Sequence, residues 1–301
     1  MRIVSLLPSA TEIVYFLDLD GELEGVTHEC DWPPDATSKP VVSTTSLSLD
    51  ENMSAGEIDR IVGEKMTLGE PLYRIDEELI RKIQPELILA QDLCHVCAVP
   101  SGQVTDALDK LGCDAEVISI DPSTVGDILD EIEQVARRAG GNAVAVDGLR
   151  ARVDAVRAAT KPLEPVPALA LEWADPPFVG GHWVPEMIEI AGGRDVLGSV
   201  GKRSERVEWT RIAEAAPQTI VFMPCGYFLD DTIEQAQRLY DIEDFASTPA
   251  ARSGSVFAVD ASSYFSRPGP RVVDGIEILA WILHPEVFPE PPGGRVLCVA
   301  R

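Results

Sequence analysis

Apolar residues along this chain alternate between two spacings. Short β-rich runs such as IVSLL (Ile3–Leu7), Leu23–Thr27, Val41–Ser43, Glu86–Ala90 and Glu116–Ile120 are separated by stretches with helical periodicity. A helix is predicted to open at Ser9, with Glu12 three residues on as a capping box. Others are predicted at Asp76–Ile83, with Asp76 as cap, and at Gly102–Leu111. Within residues 50–73, read as an insertion, Met53, Ile58, Ile61, Val62 and Met66 recur at the spacing of an amphipathic helix that covers core. From Ser123 to Ala159 the pattern is almost wholly helical. It breaks at Gly140-Gly141, a C-cap signal, and resumes behind Asn142 as a new N-cap. The second of these helices is about 18 residues, or roughly 27 Å.

The second half repeats the alternation. Strands are predicted at Ala168–Trp173, Thr219–Met223 and Val256–Asp260. Helices are predicted at Val184–Ala191, Trp209–Ala215, Thr232–Tyr240 and Pro270–Leu283, with a peripheral Pro/Gly-rich tail from Pro285. Strands alternating with helices argue for mainly parallel sheets covered on both faces. The fold class expected is α/β, with two doubly wound parallel-sheet lobes: residues 1–121, a helical connector at 122–163 with its long helix at 142–160, and residues 164–301.

Composition narrows the function. With 50 acidic and 25 basic residues among 301, the net charge is −25. Such a surface repels nucleic acid and anionic lipid. It suits a salt-rich cytosol, although an ordinary acidic bacterial protein reads the same way. No apolar run reaches the roughly 18 residues of a membrane span. MRIVSLLPSA reads as a buried strand and not as a signal peptide, so a native Met1 implies the cytoplasm; a trimmed leader would leave the same sequence and an extracytoplasmic protein. A monomer is expected.

In open parallel sheets, ligands bind beyond the carboxyl ends of the strands. The loops there are 27–34, 91–99, 174–183, 224–228 and 261–270, and they hold four of the six cysteines and three of the four histidines. Cys94-x-x-Cys97, His28, Cys30 and Cys225 are candidate metal ligands of a zinc type, since four such donors complete a tetrahedral site. A redox pair, favoured by the lowered thiol pKa of a Cys-x-x-Cys before a helix, and plain buried thiols are the alternatives. Cys113 and Cys298 lie outside the loops and read as structural. His182 could serve as a polar or axial ligand, and Tyr227 is a further candidate from its loop. No Ser-His-Asp order, Walker loop or HExxH motif appears, so no catalysis is expected; a chelatase-like or thiol-redox enzyme is the remaining alternative.

Three motifs carry a resemblance. LLPSATEI at the start, DPPFVGGHW followed by EIAGGRDVLG, and YFSRPGPR resemble the helical-backbone (class III) ABC-importer substrate-binding proteins, most of all the cobalamin-binding ones. The likeness spans about residues 1–285 apart from the insertion. It implies a bilobed clamshell with one long backbone helix, gripping a corrinoid or an iron-chelate between aromatic side chains. Tyr264, Phe265 and Phe178 are the implied ligand contacts, with Trp32 and Trp183 nearby by spacing. Flat aromatic faces suit a wide apolar ring. The family's first-lobe tryptophan aligns with Gln91. The glutamates that dock on the permease have no counterpart, since Ser266 stands at the second-lobe position and Ala98–Thr105 holds no acid. The chain is therefore expected to keep the ligand cleft without the import role, or to act as a cytoplasmic thiol/metal carrier or sensor.

Overall fold

The computed structural model describes residues 1–47, 53, 55–68, 70–91, 108 and 113–299. The chain divides into two compact units, residues 1–121 with 130–146, and residues 122–129 with 147–301.

The first unit is built on a six-stranded sheet in the order β4-β3-β2-β1-β5-β6. Its strands are β1 (Ile3–Ser5), β2 (Leu23–Thr27), β3 (Val41–Thr45), β4 (Tyr73–Ile75), β5 (Leu87–Ala90) and β6 (Glu116–Ser119). β1 and β5 are buried at every position, as central parallel strands covered on both faces should be. All neighbours pair in parallel except β4, which runs antiparallel to β3 at the edge. Val4, Leu6, Val42, Ile80, Ile88 and Ala90 form the core on one side of the sheet.

Among the described residues before position 92, the helices of this unit are α1 (Pro8–Phe16), α2 (Ala55–Leu68) and α3 (Glu77–Ile83). α3 starts as predicted, with the Asp76 carboxylate accepting from the Leu79 amide at 2.9 Å. α1 does not. Pro8 takes the first helical position and Leu7 the cap, without a side-chain cap bond, so the Ser9–Glu12 capping box does not form. Proline's fixed φ suits the first turn and moves the helix start one residue back. Helix α2 lies within the 50–73 segment, as its periodicity predicts, and Val62 packs against the core. Most of the helix predicted at 102–111 lies outside the described residues.

Helices α4 (Val125–Ala139) and α5 (Val144–Thr160) follow, and the chain passes from one unit to the other within each. Gly140 ends α4 at φ +78°, as the sequence signal requires. Asn142 does not act as a side-chain cap; its amide nitrogen donates to the Asp18 carboxylate at 3.1 Å.

The second unit carries a seven-stranded sheet in the order β10-β8-β7-β11-β12-β13, with β9 also on β7. These are β7 (Val166–Ala174), β8 (Pro177–Val179), β9 (Gly193–Asp195), β10 (Glu205–Arg206), β11 (Thr219–Phe222), β12 (Val256–Val259) and β13 (Val296–Cys298). β7, β11 and β12 are adjacent and parallel. One edge of β7 is shared, with β9 on Val166–Ala168 and β8 on Leu171–Ala174. The tail is less peripheral than its composition suggests, because β13 adds an antiparallel edge to β12.

Among the described residues after 160, the helices of this unit are α6 (Val184–Ile190), α7 (Trp209–Ala215), α8 (Leu229–Leu239), α9 (Glu243–Ala246), α10 (Pro249–Ser253), α11 (Ala261–Tyr264) and α12 (Val272–Leu283). Nine of the twelve residues of α12 are buried. Among the described residues, no helix is long and apolar enough to cross a membrane.

Candidate functional site

Because β7, β11 and β12 run side by side in one direction, the loops behind them leave the sheet from the same edge. Trp173, next to last in β7, sets its ring against Tyr227 in the loop after β11, with centroids 5.6 Å apart and planes tilted by 55°. The Trp173 indole nitrogen donates to the Asp175 carbonyl at 3.1 Å, which fixes the ring. Phe178, half-buried in β8, lies opposite Trp173 in the strand register. The loops are tied to each other. Ser262 donates its amide to the Tyr227 carbonyl at 3.0 Å, and Trp183 donates its indole N–H to the Phe265 carbonyl at 2.8 Å.

Tyr264 ends α11 half-buried, with two guanidiniums over its ring: Arg295 at 5.0 Å and Arg271 at 5.7 Å from the centroid. Burial raises the pKa of its phenol, and Arg295 and Arg271 oppose that rise. Burial raises Tyr227 as well, helped by Asp231. Both phenols therefore stay protonated near neutrality and present aromatic faces with a hydroxyl donor.

Other predicted contacts are placed differently. Phe265 is 1% exposed and belongs to the core, so its ring offers no face to a ligand. Trp183 is 6% exposed and acts as a strut through its N–H. His182 stands half-buried beside it, ring centroids 5.8 Å apart, at φ +51°. Burial lowers the pKa of its imidazole, and the Arg203 charge lowers it further.

In the first unit, the loop after β2 holds His28, Cys30 and Trp32. Cys30 is buried, with its sulfur 3.0 Å from the Thr11 hydroxyl, which in turn donates to Ser5 at 2.8 Å. His28 is exposed, its Nδ1 3.2 Å from the Thr27 hydroxyl and its ring 6.4 Å from Tyr73. Trp32 is half exposed at 47%, and Gln91, just after β5, is buried. Cys94, His95 and Cys97 lie outside the described residues, and Cys225 is exposed on the β11 loop of the second unit. Among the described residues, no three His, Cys, Asp or Glu side chains are grouped to hold a metal.

The sequence reading passed over several residues of this face. Arg271 and Arg295 stand far apart in the chain and meet only at Tyr264. Glu172, the one acid in the apolar run ALALEWA, was a legible signal. Its carboxylate accepts from the Gly181 amide at 3.1 Å and from the Ser204 hydroxyl. Burial pushes its pKa up to about 7 against those two bonds, and Asp195 adds to the rise.

Comparison with known proteins decides the family. The profile of the family described as periplasmic binding protein matches residues 3–262. The chain belongs to this family. It is a substrate-binding protein of the ABC-transporter type, and its relatives are binding proteins rather than enzymes. The Vitamin B12-binding protein of Vibrio cholerae is 23% identical over 283 residues, covering 92% of this chain and 86% of the relative. The Vitamin B12-binding protein of Vibrio parahaemolyticus matches with the same identity, covering 91% of this chain and 86% of its own. Among solved structures, the periplasmic Vitamin B12 binding protein BtuF of Vibrio cholerae aligns with a TM-score of 0.68 at 22% identity, over 94% of this chain and 96% of that one. The periplasmic heme-binding protein RhuT of Roseiflexus aligns at 0.69 and 21% identity, over 95% and 98%. These structural likenesses speak for the shared fold.

Proposed function

We propose that the protein binds a corrinoid or a related flat metal chelate, such as an iron-bearing tetrapyrrole, at the strand-end face of its second unit. The observation that carries this reading is the aromatic group at the carboxyl ends of the parallel strands: Trp173 against Tyr227, with Phe178 beside them in register and Tyr264 on the next loop. Ring faces that remain partly exposed suit a wide apolar macrocycle, and stacking adds to the area buried. The names of the relatives support the same ligand class.

Arg271 and Arg295 over Tyr264 favour a ligand bearing carboxylate or phosphate groups. In the first unit, taken by itself, Trp32 and Gln91 are the candidate ligand contacts and His28 and Cys30 the candidate metal ligands. A zinc-type site at Cys30, Cys94 and Cys97 has less support, because the Cys30 sulfur is already hydrogen-bonded to Thr11. Docking on a permease is read as weak, since Ser266 replaces the glutamate of the family pattern; tight, specific capture by importer membrane subunits would overturn that.

The test of the binding reading is a titration with cyanocobalamin and, separately, with hemin, followed by tryptophan fluorescence and thermal unfolding. A ligand present at 100 times its Kd should stabilise the protein by about 2.7 kcal/mol. Unchanged fluorescence and unchanged melting with both compounds would refute the proposal.

A further inference from the structure

The chain beyond α12 lies outside the residues that the family profile matches, 3–262, yet it is firmly anchored. β13 pairs antiparallel with β12, Val296 opposite Val259. Val299 is 3% exposed and belongs to the core. Its amide donates to the Val256 carbonyl at 2.8 Å, and its carbonyl accepts from the Tyr240 hydroxyl at 2.9 Å. Just before β13, the Arg295 carbonyl accepts from the Asp260 amide at 3.0 Å. That bond sets Arg295 against the residue that starts α11, where the Asp260 carboxylate accepts from the Ser263 amide at 2.9 Å. Tyr264 ends the same short helix, and the Arg295 guanidinium stands over its ring, 5.0 Å from the centroid.

This guanidinium is half-buried, and the acids around it are committed elsewhere. Of the carboxylates that act on Tyr264, Asp260 caps α11 and Asp274 binds Arg152. Arg152 also takes both oxygens of Glu277. Among the described residues, no carboxylate makes an ion pair with Arg295, so its N–H donors stay open to an outside acceptor. Arg295 also borders a cavity of about 400 Å³ whose walls include Ile278, Phe288 and Pro291; the group is not packed on every side. Contact with the Tyr264 ring holds the fork in place. Little freedom is then lost when an acceptor arrives, and a carboxylate can take two parallel N–H bonds.

We propose that the C-terminal tail is part of the ligand face: Arg295, held over Tyr264, selects a macrocycle with a carboxylate arm over one with a neutral rim. The inference rests on the binding function proposed above and narrows its ligand class to a carboxylate-bearing tetrapyrrole. The ring supplies apolar area to any flat ligand, whereas the guanidinium adds affinity only where the ligand's edge carries an anion. The residue that sets the ligand class thus comes from a segment that the family match does not reach.

The test compares hemin with hemin dimethyl ester, which share macrocycle and iron and differ only in the carboxylates. Each is titrated into the full chain and followed by its Soret band, beside cyanocobalamin, whose corrin rim carries amides. The wild type should bind hemin about tenfold tighter than the ester. Arg295→Gln should lose about tenfold for hemin and nothing for the ester or cyanocobalamin. Should that variant fail to fold, Arg295→Lys keeps the charge without the fork and should lose about threefold for hemin alone. Hemin affinity equal in wild type and variant overturns the proposal, as does an equal loss for hemin and its ester. A wild type that binds cyanocobalamin but not hemin overturns it too, and leaves the binding reading standing. Binding of neither compound ends both. The ring contact is read without ligand, by carbon-13 NMR of labelled tyrosine with Tyr264→Phe as the assignment. Arg295 opposes the rise that burial gives the Tyr264 phenol, so Arg295→Gln should move its titration to higher pH. An unmoved phenol removes the contact and overturns the proposal.

Discussion

Trp183 donates its indole N–H to the carbonyl oxygen of Phe265 at 2.8 Å, and both side chains are buried. The bond fastens the loop after β8 to the loop after β12, so the Tyr264 segment is held by a group 82 residues earlier in sequence. Trp183→Phe keeps an aromatic body and removes the donor. The orphaned buried carbonyl should cost about 1–3 kcal/mol, read from urea unfolding. A stability equal to wild type would show that the bond does not fasten these loops.

Gly275 lies under the same loop from the other side. A Cβ there would overlap the Tyr264 carbonyl oxygen and come within 2.8 Å of the Met187 methyl group. Backbone cannot yield as a flexible side-chain end can, so Gly275→Ala should force Tyr264 outward and destabilise by about 1–3 kcal/mol. The two effects are separable: unfolding curves report the strain, and ligand titration reports the displaced ring. A well-folded variant with unchanged melting would contradict the packing described.

The raised pKa of Glu172 has a definite sign in stability. Its folded-state value stands at about 7 against an ordinary 4.5. The folded protein therefore holds the proton more tightly than the unfolded chain. The contribution is full below the unfolded value, falls as pH rises toward 7, and is lost above it. The loss amounts to at most about 3 kcal/mol. Asp195, also raised chiefly by burial, works in the same direction. Glu172→Gln should thus be more stable than wild type at pH 8 and close to it at pH 5. Parallel melting-temperature profiles for the two proteins from pH 5 to 8 would refute the assignment.

If the strand-end face is the ligand face, the rings should matter more than the hydroxyls. Tyr264→Ala and Trp173→Ala should each weaken binding of the titrated chelate about tenfold or more, from lost stacking and lost burial. Tyr264→Phe should bind almost as wild type, because the ring stays beneath Arg271 and Arg295. Equal losses for Tyr264→Phe and Tyr264→Ala would point instead to the phenol hydroxyl.

The parallel strands were legible because each is a short apolar run. Leu87–Ala90 and Thr219–Phe222 are buried at every position, and a strand covered on both faces needs no alternation. The Asp76 cap and the Gly140 stop were legible because both act within one helical turn. β4, β8, β9 and β13 were missed. Each is three residues long, too short for a period of its own, and exists because a neighbouring edge offers hydrogen bonds. The Ser9 capping box failed on local competition, with Pro8 already occupying the first helical position.

Within the candidate site, the sequence by itself determined the loops, since they follow from where strands stop. Only the tertiary structure decided which side chain in each loop meets solvent and which meets core. Tyr264 and Phe265 are adjacent and both aromatic, yet one lies half-buried under two guanidiniums and the other is 1% exposed in the core. Likewise Glu172 and Ser204 are 32 residues apart, and nothing near either in the chain predicts their meeting. Local sequence sets torsions and backbone hydrogen bonding over a few residues. Burial, ionisation and pairing depend on whatever the fold brings alongside, and that is fixed by packing across the whole unit.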